Sequence, residues 1–102
     1  TFLDRQKEMV LVEGVVYDFG NKALKSGKKQ ITLTRKESSL LELLLSRKNR
    51  LVSYEEIENQ VWGRYDEVMS SDSLRALVKS LRKKLPKDLI KNVSGMGYRI
   101  EM

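Results

Sequence analysis

At 102 residues, 40% of them hydrophobic, the chain has the length of one compact domain and enough apolar side chains for a modest core. Cysteine and histidine are absent, which removes disulfide and thiol chemistry, the commonest general base and both favoured zinc ligands. The carboxylates form no catalytic pairing, no apolar run approaches the roughly 18 residues of a membrane span, and no secretory signal is visible, so the expectation is a cytoplasmic protein with no enzymatic activity, cofactor, metal or membrane contact.

The net charge is +6, and its distribution says more than its size. Residues 1–74 are balanced, whereas residues 75–102 carry Arg75, Lys79, Arg82, Lys83, Lys84, Lys87, Lys91 and Arg99 against only Asp88 and Glu101. The middle is acidic: Glu55, Glu56, Glu58, Asp66, Glu67 and Asp72 face the single cation Arg64. A clustered basic end is the electrostatic footprint of a polyanion partner, while charge that served solubility alone would be scattered.

In chain order, the β-branched run MVLVEGVVYDF (9–19), interrupted by Gly14, and KALKSGKKQITL (22–33), with a turn at Ser26-Gly27-Lys28-Lys29, predict a small antiparallel sheet. Lys25, Lys28 and Lys29 are read there as solubilising. Thr34 and Glu37 form a T-x-x-E capping box that opens a first helix, about 35–47, with Leu40, Leu41, Leu44 and Leu45 as its core stripe. Asn49-Arg50 breaks that helix, and Leu51-Val52 is a short extended link. Ser53 with Glu56 opens a second helix, Val52 and Ile57 stand as a hydrophobic staple, and Trp62-Gly63 ends it. A polar loop from Gly63 to Ser70 follows.

Ser71 is expected to cap a third helix that Pro86 terminates, with Lys83 and Lys84 favouring its negative dipole end. LIKNVSGMGYRIEM then reads as a hairpin turning at Ser94-Gly95-Met96-Gly97. On the third helix Leu74, Leu77, Val78, Leu81 and Leu85 gather on one side. The opposite side presents Asp72, Ala76, Lys79, Ser80 and Lys83, with Arg75 and Arg82 on the flank. Cations at the edges can reach phosphates, while small residues between them let the backbone approach base edges. Ala76 suits a thymine methyl, and Ser80 suits several bases. By itself such a helix serves a membrane or a partner helix as well as it serves DNA. A helix, a connection and a basic second helix, followed by a glycine-containing hairpin, is the order of a helix-turn-helix reader of duplex DNA. The connection, however, is longer than the usual three or four residues.

LTRKESSLLELLLSRKNRLVSYEEIENQVWG, LVKSLRKKL and VSGMGYRI together resemble the winged-helix effector domain of OmpR/PhoB-type bacterial response regulators, over residues 9–101. The resemblance implies an α+β fold: a winged helix-turn-helix with an N-terminal four-stranded antiparallel sheet, three helices and a C-terminal β-hairpin wing. It also implies sequence-specific binding of double-stranded DNA by a two-component transcription regulator, with helix 71–85 in the major groove and wing 93–99 near the minor groove. Carried over by position, DNA contacts fall on Asp72, Arg75, Ala76, Lys79, Ser80, Arg82 and Lys83, on Trp62 and Tyr98, and on Ser94, Gly95 and Met96 at the wing. For Trp62 a core-packed indole is nearly as strong a reading, and the two are compatible. Arg64, Tyr65, Asp66 and Glu67 fall where the family contacts RNA polymerase, an ordinary solvated loop being the other reading. Two departures stand out: Ser94 replaces a long basic wing residue, and Arg75 replaces a commonly acidic one. The chain opens on Thr1 and contains no acidic phosphorylation pocket. It is therefore expected to be one effector domain, 1–102, that has lost an N-terminal receiver through which a sensor kinase acts and which drives dimerisation on tandem sites. A stand-alone regulator with another input is the alternative.

Overall fold

The computed structural model describes residues 8–63, 68–86 and 88–102. Four short strands, β1 (Glu8–Val12), β2 (Val15–Asp18), β3 (Ala23–Ser26) and β4 (Lys29–Thr32), form an antiparallel meander in sequential order. The expected sheet is thus present, with Gly14 (φ 84°) and Gly27 (φ 60°) at its turns. Tyr17, Leu24 and Ile31 stand opposite one another across β2, β3 and β4, and Tyr17 and Leu24 are buried. The Tyr17 hydroxyl donates to Glu42 at 2.5 Å, which ties this sheet to the first helix.

Lys25 does more than solubilise the sheet. Its ammonium lies 3.0 Å from Glu8 and 3.2 Å from the buried Asp18. Asp18 also accepts from the Asn21 side chain (2.8 Å), the Asn21 N–H (3.2 Å) and the Gly20 N–H (2.9 Å), so it closes the β2–β3 turn. The Asn21 side chain and backbone, then Lys25 and Gly20, hold its carboxyl down from 3.8 to about 2, against the opposing effect of desolvation.

α1 (Arg35–Ser46) begins at the expected box: the Glu37 N–H donates to Thr34 Oγ1 at 3.2 Å, and the Thr34 N–H donates to Glu37 Oε1 at 2.8 Å. Leu40, Leu41, Leu44 and Leu45 are all buried. Each such leucine contributes about 2 kcal/mol and the cap about 1, so burial holds the helix while the cap fixes where it starts. β5 (Val52–Ser53) leads into α2 (Tyr54–Ile57), which continues as a π-helical turn, Glu58–Trp62. Only half of the second expected box forms: Ser53 accepts from the Glu56 N–H, whereas the Glu56 carboxylate pairs with Arg47 at 3.3 Å.

α3 (Ser71–Lys84) starts one residue earlier than expected, because Ser70 and not Ser71 is its cap. Ser70 and Ser73 satisfy each other's backbone N–H groups, with serine taking the place that Glu usually fills. Pro86 lies just beyond its end, as expected. β6 (Ile90–Val93) and β7 (Gly97–Ile100) form the hairpin, and β7 also pairs with β5, which makes a three-stranded sheet of order β5-β7-β6. α1 packs against the π-helical turn, α3 and β7.

Two glycines of the hairpin have different reasons to be glycine. Gly95 adopts φ 74° at the turn. Gly97 belongs to the strand and not to the turn, and a Cβ there would sit 2.0 Å from the Val52 carbonyl oxygen. Gly97→Ala should therefore destabilise the fold by at least about 2 kcal/mol in urea unfolding, since backbone must move to accommodate it. The Asp18 carboxylate, with its depressed pKa, contributes stability above pH 4 that is lost as pH falls towards 2. Asp18→Asn should flatten the fall in thermal stability over that window, and an unchanged acid profile would contradict the assignment.

Candidate nucleic-acid interface

α3 is amphipathic, and its leucine side decides which residues remain outside. Leu74, Val78, Leu81 and Leu85 are buried and Leu77 is half-buried. Asp72, Arg75, Ala76, Lys79, Arg82 and Lys83 are exposed, as the helical period requires. Lys79 and Lys83 have no ion-pair partner among the described residues, and Ala76 lies on the face they share.

The two edges of the helix are tied down. On one edge the Ser80 hydroxyl donates to Glu37 Oε2, and the Lys84 ammonium meets Glu37 Oε1 at 2.7 Å. Ser80 was expected on the base-reading face. The structure instead turns its hydroxyl sideways to α1, because Glu37 is a buried acceptor needing donors. Burial of Glu37 would raise its pKa, but the hydrogen bonds from Lys84, Ser80 and the Thr34 backbone outweigh it and hold the carboxyl below its usual value. On the other edge, Arg82 Nη2 donates to the Ile90 carbonyl at 3.0 Å, linking α3 to the hairpin.

Between that edge and the hairpin lies an open recess of about 550 Å³, lined by Arg75, Lys79, Arg82, Lys83, Asn92 and Tyr98. Four cations around one concavity suit an anionic strand. Tyr98 is largely buried and meets Tyr54 edge-to-face with ring centres 6.0 Å apart. Burial raises its pKa, so the phenol remains a neutral hydrogen-bonding group. At the hairpin tip the Met96 N–H donates to the Val93 carbonyl at 3.0 Å, and the Tyr54 N–H reaches the Met96 carbonyl at 3.4 Å. The tip is thereby anchored while Ser94, Gly95 and Met96 remain exposed, the Met96 side chain at 56%.

The Trp62 ring is almost wholly covered. It is 3% exposed within the core, with the Lys36 ammonium 5.3 Å from the ring centre, so the core-packed reading describes its indole. Arg64, Tyr65, Asp66 and Glu67 lie outside the described residues. Sequence reasoning missed the reach of Glu37 across to α3 and the inward use of Lys84 and Ser80. The available signal was a T-x-x-E glutamate and a lysine next to the leucine stripe of another helix. Among the described residues no cluster could hold a metal ion, and no helix is long and apolar enough to cross a membrane.

A half-buried basic helix beside an anchored hairpin is the architecture of the family described as "Transcriptional regulatory protein, C terminal", whose profile matches residues 27–100. The chain belongs to this family. Its resemblance to OmpR/PhoB-type effector domains holds along the whole described fold. The regulatory protein VanRB of Enterococcus faecalis is 40% identical over 72 residues, covering 71% of this chain and 32% of its own length. This chain therefore spans only part of that relative. The DNA-binding domain of CpxR from E. coli superposes with a TM-score of 0.74 at 26% identity, over 92% of this chain and 95% of that one. The DNA-binding domain of Bacillus subtilis CssR superposes with a TM-score of 0.65 at 32% identity, over 91% and 98%. The winged-helix fold, with its four-stranded sheet, three helices and terminal hairpin, is common to them.

With Trp62 as the sole tryptophan, the domain should fluoresce with the blue-shifted emission of a buried indole. Duplex DNA should leave that maximum in place; the red emission of a hydrated indole would contradict the packing.

Proposed function

We propose that the chain is the DNA-binding effector domain of a two-component transcription regulator and binds duplex DNA sequence-specifically. α3 enters the major groove, and the wing, residues 93–99, lies near the minor groove. The observation that carries this reading is the free outer face of α3, where Lys79 and Lys83 accompany Ala76 while both helix edges are tied to the fold.

The roles follow from reach and chemistry. Arg75, Lys79, Arg82 and Lys83 are long cations around the recess and neutralise phosphates, Lys83 also reaching base edges. Ala76 permits close approach and touches a thymine methyl, and Asp72, in the first turn, accepts from a cytosine amino group. Tyr98 supports the strand at the base of the wing and hydrogen-bonds a phosphate. Ser94, Gly95 and Met96 follow the backbone without the cation common in the family, so the wing reads groove shape more than charge. In the longer protein to which such a domain belongs, a receiver domain coupled to a sensor kinase drives dimerisation on tandem sites in the cytoplasm. Residues 64–67 are the candidate contact for RNA polymerase.

The test is the salt dependence of binding. With roughly four to six phosphates neutralised, the slope of log affinity on log salt should be about −4 to −5, a loss of several hundredfold between 50 and 200 mM salt. Lys79→Ala should weaken binding to all sequences and flatten the slope by about one unit. An absence of binding at low salt would overturn the reading in favour of a winged helix that contacts only protein.

A further inference from the structure

We infer that Glu37 is a positioning residue for sequence readout: it sets the rotation of α3 about its own axis and so decides which bases the outer face can reach. This rests on the reading of α3 as the helix that enters the groove.

Glu37 is 1% exposed, so its own side chain is out of reach of a duplex. Its carboxylate nevertheless takes three donors from two helices. The Thr34 N–H fixes it to the first turn of α1 at 2.8 Å, which removes the freedom of a long side chain. The Ser80 hydroxyl and the Lys84 ammonium then bind it from α3. Those two residues are four apart and lie one turn above the other on a single edge. Two such contacts along one edge oppose rotation, whereas the apolar packing of Leu74, Val78 and Leu81 selects the buried face but, being non-directional, resists a turn of a few degrees less. The bond from Arg82 to the Ile90 carbonyl restrains the other edge.

The magnitudes make rotation matter for some contacts and not for others. Side-chain tips lie about 5–6 Å from a helix axis, so a turn of about 10° moves them by about 1 Å. Lysines and arginines absorb such a shift when they reach for phosphates. Ala76 has no such reach, and a contact to a base edge tolerates only about 0.5 Å. Loosening the grip of Glu37 should therefore cost discrimination between sequences and spare general affinity.

The experiment begins by selecting preferred sites from a random duplex pool with the unaltered domain. Affinities for the selected site and for random duplex are then compared for Glu37→Gln and Lys84→Met. The Gln variant keeps an acceptor for Thr34, and Lys84 is 29% exposed, so both substitutions should fold, which amide spectra check. In each variant the selected-site affinity should fall at least about tenfold, the loss of roughly one base contact. Random-duplex affinity and salt slope should stay within about twofold, an outcome that loss of stability alone would not give. Equal losses on both duplexes, or an unchanged ratio, would overturn the role of Glu37 while leaving DNA binding in place. A slope shallower by about one unit in Lys84→Met would show Lys84 contacting phosphate itself and would also overturn it. If the unaltered domain enriches no sequence, the DNA-reading assignment fails, and this inference falls with it.

Discussion

The burial of one side of α3 is the constraint on which the rest of the surface depends. Leu74, Val78, Leu81 and Leu85 can leave water only against α1 and the hairpin, and that choice fixes which face of the helix stays outside. Because a helix has 3.6 residues per turn, Ala76, Lys79 and Lys83 are then presented together and cannot be hidden. The hairpin has its own constraint. Gly97 must pass the Val52 carbonyl closely enough that no side chain fits, and this contact holds β7, and with it the wing, beside α3.

Charge is distributed by the same logic. Carboxylates near the core are each matched within the fold: Asp18 by Asn21, Gly20 and Lys25, Glu42 by Tyr17 and Lys22, and Glu37 by Thr34, Ser80 and Lys84. Lys84 is therefore a structural cation although it stands in the basic stretch. What remains around the recess is Arg75, Lys79, Arg82 and Lys83, and of these Arg82 gives one donor to the Ile90 carbonyl. The net charge of the terminal segment overstates the charge available to a partner.

Local features were legible in the sequence, and long-range ones were not. The Thr34–Glu37 box, the leucine stripes of α1 and α3, the strand-turn-strand pattern of the first third and the glycine-bearing hairpin all depend on spacings of two to four residues. The cap of α3 was displaced by one residue because Ser70 and Ser71 are both competent caps, and Ser73 at the matching position favours the first. Ser80 and Lys84 looked like surface residues because their partner lies more than forty positions away in sequence. The same holds for Lys25, whose role depends on Glu8 and Asp18 across the sheet. For Trp62, the resemblance left a phosphate contact and core packing both open, and packing against the core decides the position of the ring.

The central claim is that the outer face of α3 and the wing form one surface for duplex DNA. An amide-resolved NMR titration with a short AT-rich duplex at low salt tests it most directly. Shifts should concentrate at residues 72–84 and 94–98, with those of α1 remaining small. Shifts that are absent, or that gather instead on residues 55–63, would contradict it and point to a protein partner on the acidic side of the domain.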